Sequence, residues 1–144
     1  MATFNKIDIF VQDCLHGVHD FTNTAAADVT VFLTTIGNIP VASNVILGNI
    51  TEIVYSNLSA RDVTIASSGH TTGLYTLTLT DLVLTASAAV PTFRGVGHYA
   101  DVPSGPVDPL IQWYDHGSDV TLANGETFTI DYLIEGSGGF LQFQ

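Results

Sequence analysis

Positive charge is nearly missing from this chain. Of 144 residues only Lys6, Arg61 and Arg94 are basic, against 14 acids, for a formal net charge of −11. That balance leaves no electrostatic footprint for nucleic acid or for an anionic membrane. Cysteine is reduced to Cys14, which excludes an intrachain disulfide and any zinc site built from cysteine pairs. Read on a helix, Cys14 is a small buried apolar residue. With Lys6 as the single lysine, no Schiff-base or phosphate-clamp lysine stands out. No apolar run approaches the roughly 20 residues of a membrane helix. The opening MATFNKIDIF has no cationic segment followed by an apolar core, so no secretory signal is read there and synthesis in a cytoplasm is expected. Charged residues of both signs reach only 12%, about half the usual share of a soluble domain.

What is abundant is threonine, with 18 residues, and glycine, with 13. The β-branch of Thr suits a pleated strand and Gly serves the turns between strands. The expected class is all-β: an antiparallel sandwich or barrel of about eight short strands with one short N-terminal helix, in a single domain over residues 1–144. Residues 1–20 supply the helix and a connector. Phe4, Ile7, Val11, Cys14, Leu15 and Val18 recur at helical spacing over 4–18, with Thr3 as a cap and Gly17 as the stop. A strand over 6–11 is the competing reading.

Residues 29–35 (VTVFLTT) predict a strand, followed by a turn at Gly37-Asn38. Residues 40–49 read as a loop or a short strand through 45–47. Short strands are expected at 52–55 and 62–66. Residues 74–84 (LYTLTLTDLVL) show the clearest alternation, with Tyr75, Leu77 and Leu79 on the apolar face and a bulge expected near Asp81. Residues 93–99 form another strand, softened by Gly95 and Gly97. A proline-fixed loop follows over 101–108. PLIQWYDHGSDVTLANGETFTI (109–130) then predicts a strand carrying Trp113, an acidic turn at 115–119, a second strand from Val120, an Asn124-Gly125 hairpin and a third strand to 134. A turn at 136–139 and the strand FLQFQ end the chain.

Chemistry is sparse. His16 and His19, with Asp13 and Asp20 nearby, could face a metal, but the HExxH pattern is missing. The DHGSD segment holds Ser118, His116 and an Asp together, yet hydrolase triads converge from separate parts of a fold. Asp, Gly and Ser are also what a turn needs. Asp101, Asp108, Asp115 and Asp119 could gather at one end, but no EF-hand spacing joins them. Gly95-Val96-Gly97 lacks the third glycine of a dinucleotide fingerprint. Asn49-Ile50-Thr51 and Asn57-Leu58-Ser59 match glycosylation acceptors, chance matches in a chain without a signal. The expectation is a non-enzyme with no metal and no cofactor. The residues singled out for interaction are Phe4, Trp113, Tyr114, Phe140 and Phe143. Some of these aromatics could form a sugar platform, so a carbohydrate-binding module stays open beside the reading as sandwich core.

FVQDCLHGVHDF (10–21) followed by VTVFLTT resembles the start of small virion proteins of tailed phages. DPLIQWYDHGSDVTLANGETFTID (108–131), with a Gly-containing turn and a last short strand, resembles their end. GNITEIVYSN and GLYTLTLTDLVLTAS lie between in the matching order. FRGVGHYAD departs from the pattern at Arg94 and His98, where apolar residues would be expected. The resemblance spans nearly the whole chain and rests on structural motifs. It implies a capsid decoration (cement) protein that binds the major capsid protein and stabilises the head shell. It also implies a homo-oligomer, a trimer by preference, located in the virion after assembly in the host cytoplasm. A tail or fibre component is the alternative, and no catalytic residue is carried over.

Overall fold

In the computed structural model, which describes residues 4–21, 29–101, 105–132 and 140–143, the chain is an antiparallel β-protein with a sandwich-like arrangement and one short helix. The elements in order are β1 (Asn5–Lys6), α1 (Phe10–Leu15), β2 (Thr30–Thr34), β3 (Ile65–Thr71), β4 (Leu74–Leu79), β5 (Leu82–Thr85), β6 (Val90–Tyr99), β7 (Leu110–Leu122), β8 (Thr127–Ile130) and β9 (Leu141–Phe143). They form a four-stranded sheet β1-β7-β6-β2, a three-stranded sheet β3-β4-β9 and a pair β5-β8. Side chains from all three, among them Phe32, Leu77, Leu84, Phe93 and Ile111, meet in one buried cluster.

The helix is shorter than its spacing suggested and turns a different face inward. Asn5 and Lys6 pair with Trp113 and Gln112 of β7, a two-residue strand that shares only Lys6 with the competing strand over 6–11. Helix α1 then buries Phe10 and Asp13 and leaves Val11 and Leu15 exposed, Leu15 at 81%. Six residues are too few for an apolar stripe to orient a helix. The entry strand orients it instead. Gly17 does stop it: at φ +72 its N–H donates to the Cys14 carbonyl, and Val18 N–H donates to that of Asp13, the Schellman pattern. The Thr3 cap lies outside the described residues.

Strand β2 is an outer strand whose five residues are all buried. An irregular stretch covers its free edge: Ile53 N–H donates to Leu33, Val31 N–H to Arg61 and Val63 N–H to Val29. The expected strand at 52–55 is therefore an edge cover rather than a strand. The Tyr55 hydroxyl accepts Leu33 N–H at 2.8 Å and lies 2.6 Å from Glu52. The Arg61 guanidinium sits 3.7 Å over the Tyr55 ring and pairs with Glu52 at 3.3 Å. Covering an edge in this way prevents pairing with another chain.

Three further expectations are corrected. The run 74–84 divides at Asp81 into β4 and β5, which belong to different sheets, so a change of partner stands where a bulge was expected. Asp81 Oδ1 accepts the Tyr132 N–H at 2.9 Å and ties this crossover to the end of β8. Asp81→Ala is expected to cost about 1.5 kcal/mol in urea unfolding, the low end for a hydrogen bond to a charged group because Asp81 itself is exposed; an unchanged midpoint would exclude the tether. Next, the segment 115–119 does not reverse the chain. Gly95 pairs with Asp115 and Phe93 with Val120, so β7 stays on β6 and throws out a bulge between them. Finally, Asn124-Gly125 is a turn but not a hairpin, because β7 pairs with β6 while β8 pairs with β5. Gly125 has φ +83 and Asn124 is not among the residues with positive φ. A type I′ hairpin turn needs both. The residues expected as strand at 133–134 and as turn at 136–139 lie outside the described residues, while β9 confirms the last strand.

Candidate interaction surface

The residues singled out for interaction turn their rings mostly on one another. Phe4 meets Tyr114 edge-on at 4.8 Å and Phe140 at 6.3 Å. Phe143 packs between Phe10 and Tyr75. Tyr114 is buried, and Trp113 is partly buried against the core with its indole N–H unpartnered. Four of the five, Phe4, Trp113, Phe140 and Phe143, stay part-exposed at the margin of the core.

The group at the centre of this aromatic cluster is His98, fully buried on β6. Its Nε2 lies 2.8 Å from the Tyr132 hydroxyl. Phe4, Tyr132 and Phe140 surround the ring at 5.1–5.7 Å between centroids. Burial lowers its pKa to about 3. His19 is the second buried imidazole: its ring stacks on Phe21 at 5.6 Å, and burial lowers it to about 4. His16 is exposed, so the His-x-x-His pair does not converge. Burial, aided by Asp13, raises the Cys14 thiol to about 11, which makes it a poor nucleophile, although it is only partly buried where a buried apolar residue was expected.

In the DHGSD bulge Asp115 is committed locally. Arg94 grips both carboxylate oxygens, at 2.7 and 3.1 Å, and the Gly117 N–H donates to Oδ1 at 2.8 Å. These bonds, Arg94 first, hold its pKa below the usual carboxylate range. His116 packs on Phe128 at 5.4 Å. Among the described residues no three His, Cys, Asp or Glu side chains come together as a metal site, and no helix is long and apolar enough to cross a membrane.

The surface feature that the sequence reading passed over is the loop after β2. From residue 29 to residue 51 the chain carries no Asp, Glu, Lys or Arg. Three asparagines shape the loop: Asn38 Nδ2 donates to Thr35, Asn44 Oδ1 accepts Val41 N–H, and Asn49 Oδ1 accepts Val45 and Ile46 N–H. Backbone bonds from Asp8 to Ala42, Leu47 to Asp108 and Leu110 to Val45 tie it to the N-terminal segment and to β7. The result is an open groove of about 240 Å³ where Ile39, Pro40, Val41 and Ile50 alternate with Asn38, Asn44, Asn49 and Thr51, and its exposed lining is mostly polar. Ile36 and Val41 stand out beside it at 58% and 55% exposure. The sequence did hold a signal for this face, because apolar residues placed among Gly, Asn and Pro in a long uncharged loop cannot all be buried.

Fold and surface together define a sandwich-like β-domain with a neutral, partly apolar face on an otherwise acidic molecule. No protein-family model matches the chain, and neither a curated protein nor a solved structure does.

Proposed function

We propose that this chain is a virion structural protein of a tailed phage, a decoration protein that binds the major capsid protein on the assembled head and stabilises the shell. The observation that carries the reading is the uncharged face of the 36–51 loop, with Ile36 and Val41 exposed beside a groove of mostly polar lining, on a chain of net charge −11. Such a face adheres by burial rather than by long-range attraction, which suits contacts that form once and persist. A rigid loop touching neighbouring capsid subunits adds avidity, so shell expansion must also break decoration contacts. The resemblance of the 10–21 and 108–131 segments to small phage virion proteins supports the same reading. In it the protein is not an enzyme, works in the virion as a homo-oligomer, and takes neither nucleic acid nor membrane as a partner.

The test is the copy number in purified particles, by quantitative mass spectrometry or cryo-EM. The expected result is a copy number comparable with that of the major capsid protein, and loss of capsid co-sedimentation in the Ile36→Asp and Val41→Asp variants. Both side chains are exposed, so the fold should survive. A few copies per particle would point to the tail or fibre reading instead, and absence from particles would remove the virion role.

A further inference from the structure

Strand β3 is the outer strand of the β3-β4-β9 sheet, and every residue from Ala66 to Thr71 is exposed. A strand exposed on both faces owes its order to its hairpin partner alone. The two residues at the tip, Thr72 (φ +50) and Gly73 (φ +83), both have positive φ, the I′ pattern whose twist matches paired strands. On the β4 side the hydroxyls are engaged: Ser67 Oγ lies 2.5 Å from Thr78 Oγ1, and Ser68 Oγ lies 2.9 Å from the Tyr75 hydroxyl. Beyond β3 no further strand pairs among the described residues. Among the described residues the edge also lacks the usual protections. Residues 63–80 contain no Asp, Glu, Lys, Arg or Pro, whereas exposed edges are normally blunted by charge, proline or a cover. Strand β2 of this same chain has such a cover.

We propose that β3 pairs antiparallel with β3 of a second copy across a two-fold axis near Ser68, joining two three-stranded sheets into one of six. An antiparallel edge is complementary to itself, so an identical strand needs no adapted partner sequence. Around the two-fold axis Ser68 meets its own copy and its neighbours meet each other's, so a charge at or beside the axis would face or flank a like charge. An uncharged strand is therefore what self-pairing requires, and on a chain of net −11 this strip is one of few places where two copies meet without repulsion. Ala66, Ser67, Ser68, Gly69 and Thr71 are small enough to let the strands approach to the ordinary spacing of about 4.8 Å. A basic partner would be drawn to the acids elsewhere on the molecule and not to this neutral edge. The pairing rests on the homo-oligomer part of the reading above, puts a two-fold pair in place of the trimer that the resemblance implies, and stands apart from the capsid role.

Light scattering of the purified chain at micromolar concentration tests it. The expected mass is twice that of the 15.3 kDa chain, falling to a single chain in Ser68→Lys with the circular dichroism spectrum unchanged. If Ser68→Lys does not fold, Ser68→Cys in a Cys14→Ser background carries the test, and mild oxidation should convert it to a covalent dimer. A single-chain or three-chain mass for the wild type overturns the pairing. So does a twofold mass that Ser68→Lys leaves intact, or a Ser68→Cys variant that does not cross-link. None of these outcomes bears on particle copy number, so failure here and failure of the capsid reading are separable.

Discussion

Gly97→Ala is expected to destabilise the fold by about 3 kcal/mol, the upper end of the usual overpacking range. Gly97 pairs directly with Phe32 on β2. A Cβ added there would lie 2.1 Å from Phe32 Cζ and within 2.7 Å of both Cε atoms. The Phe32 ring has no exposed surface and cannot swing aside without moving the core. Gly95 does the same for Thr34, whose Oγ1 would be 2.2 Å from a new Cβ. The two glycines lie two apart on β6, on one face, as the floor on which the β2 side chains rest. Urea unfolding of Gly97→Ala, Phe32→Leu and the double variant checks this. A coupling energy near zero, or a single-variant cost under about 0.5 kcal/mol, the range for an inert surface change, would show that the ring does not rest on the glycine.

The second expectation is steep acid lability from the two buried imidazoles. In the unfolded chain each titrates near the ordinary value of about 6.5, while in the fold His98 titrates at about 3 and His19 at about 4. Between those limits the unfolded state holds more protons, so stability is complete above about 6.5 and falls as pH drops. Each imidazole contributes a slope of about 1.4 kcal/mol per pH unit, so the pair gives about 2.7 kcal/mol per unit between pH 6.5 and 4. Below about 4 only His98 still contributes. Asp13 works in the opposite direction, because burial raises its carboxyl and the folded state holds that proton more firmly. The measurement is unfolding free energy at a series of pH values for wild type and for His98→Gln. The substitution lowers stability at every pH, but the readout is the slope, which should halve. An unchanged slope would mean that His98 is not held neutral.

These two sites show how legible the fold was. Gly95 and Gly97 read in the sequence as softeners of a strand. Nothing local records that Phe32, more than 60 residues earlier, would lie across one of them. His98 looked out of place in its strand for the same reason: the aromatic residues that accept it, Phe4, Tyr132 and Phe140, come from three distant segments. Leu77 and Leu79 were readable as buried because alternation assigns a face by local geometry alone. The same alternation carried straight through Asp81 and so hid the change of sheet. The lack of charge over 29–51 and 63–80 was fully legible as composition, but the exposure of the 36–51 loop and of Ala66 to Thr71 was not.

The sequence by itself determined the all-β class, strands within 29–35, within 74–84 and in the closing FLQFQ, and the glycine stop at Gly17. It also determined an acidic chain with long uncharged stretches. Each of these follows from side-chain shape, backbone freedom or charge within a few neighbouring residues. Only the tertiary structure decided that β8 leaves β7 to pair with β5, that DHGSD is a bulge on a continuing strand, and that among the described residues β2 has a covered edge while β3 has none. Strand pairing is chosen by what can be buried together across the whole chain, and two strands of equal local quality differ only in the partners the rest of the fold brings to them.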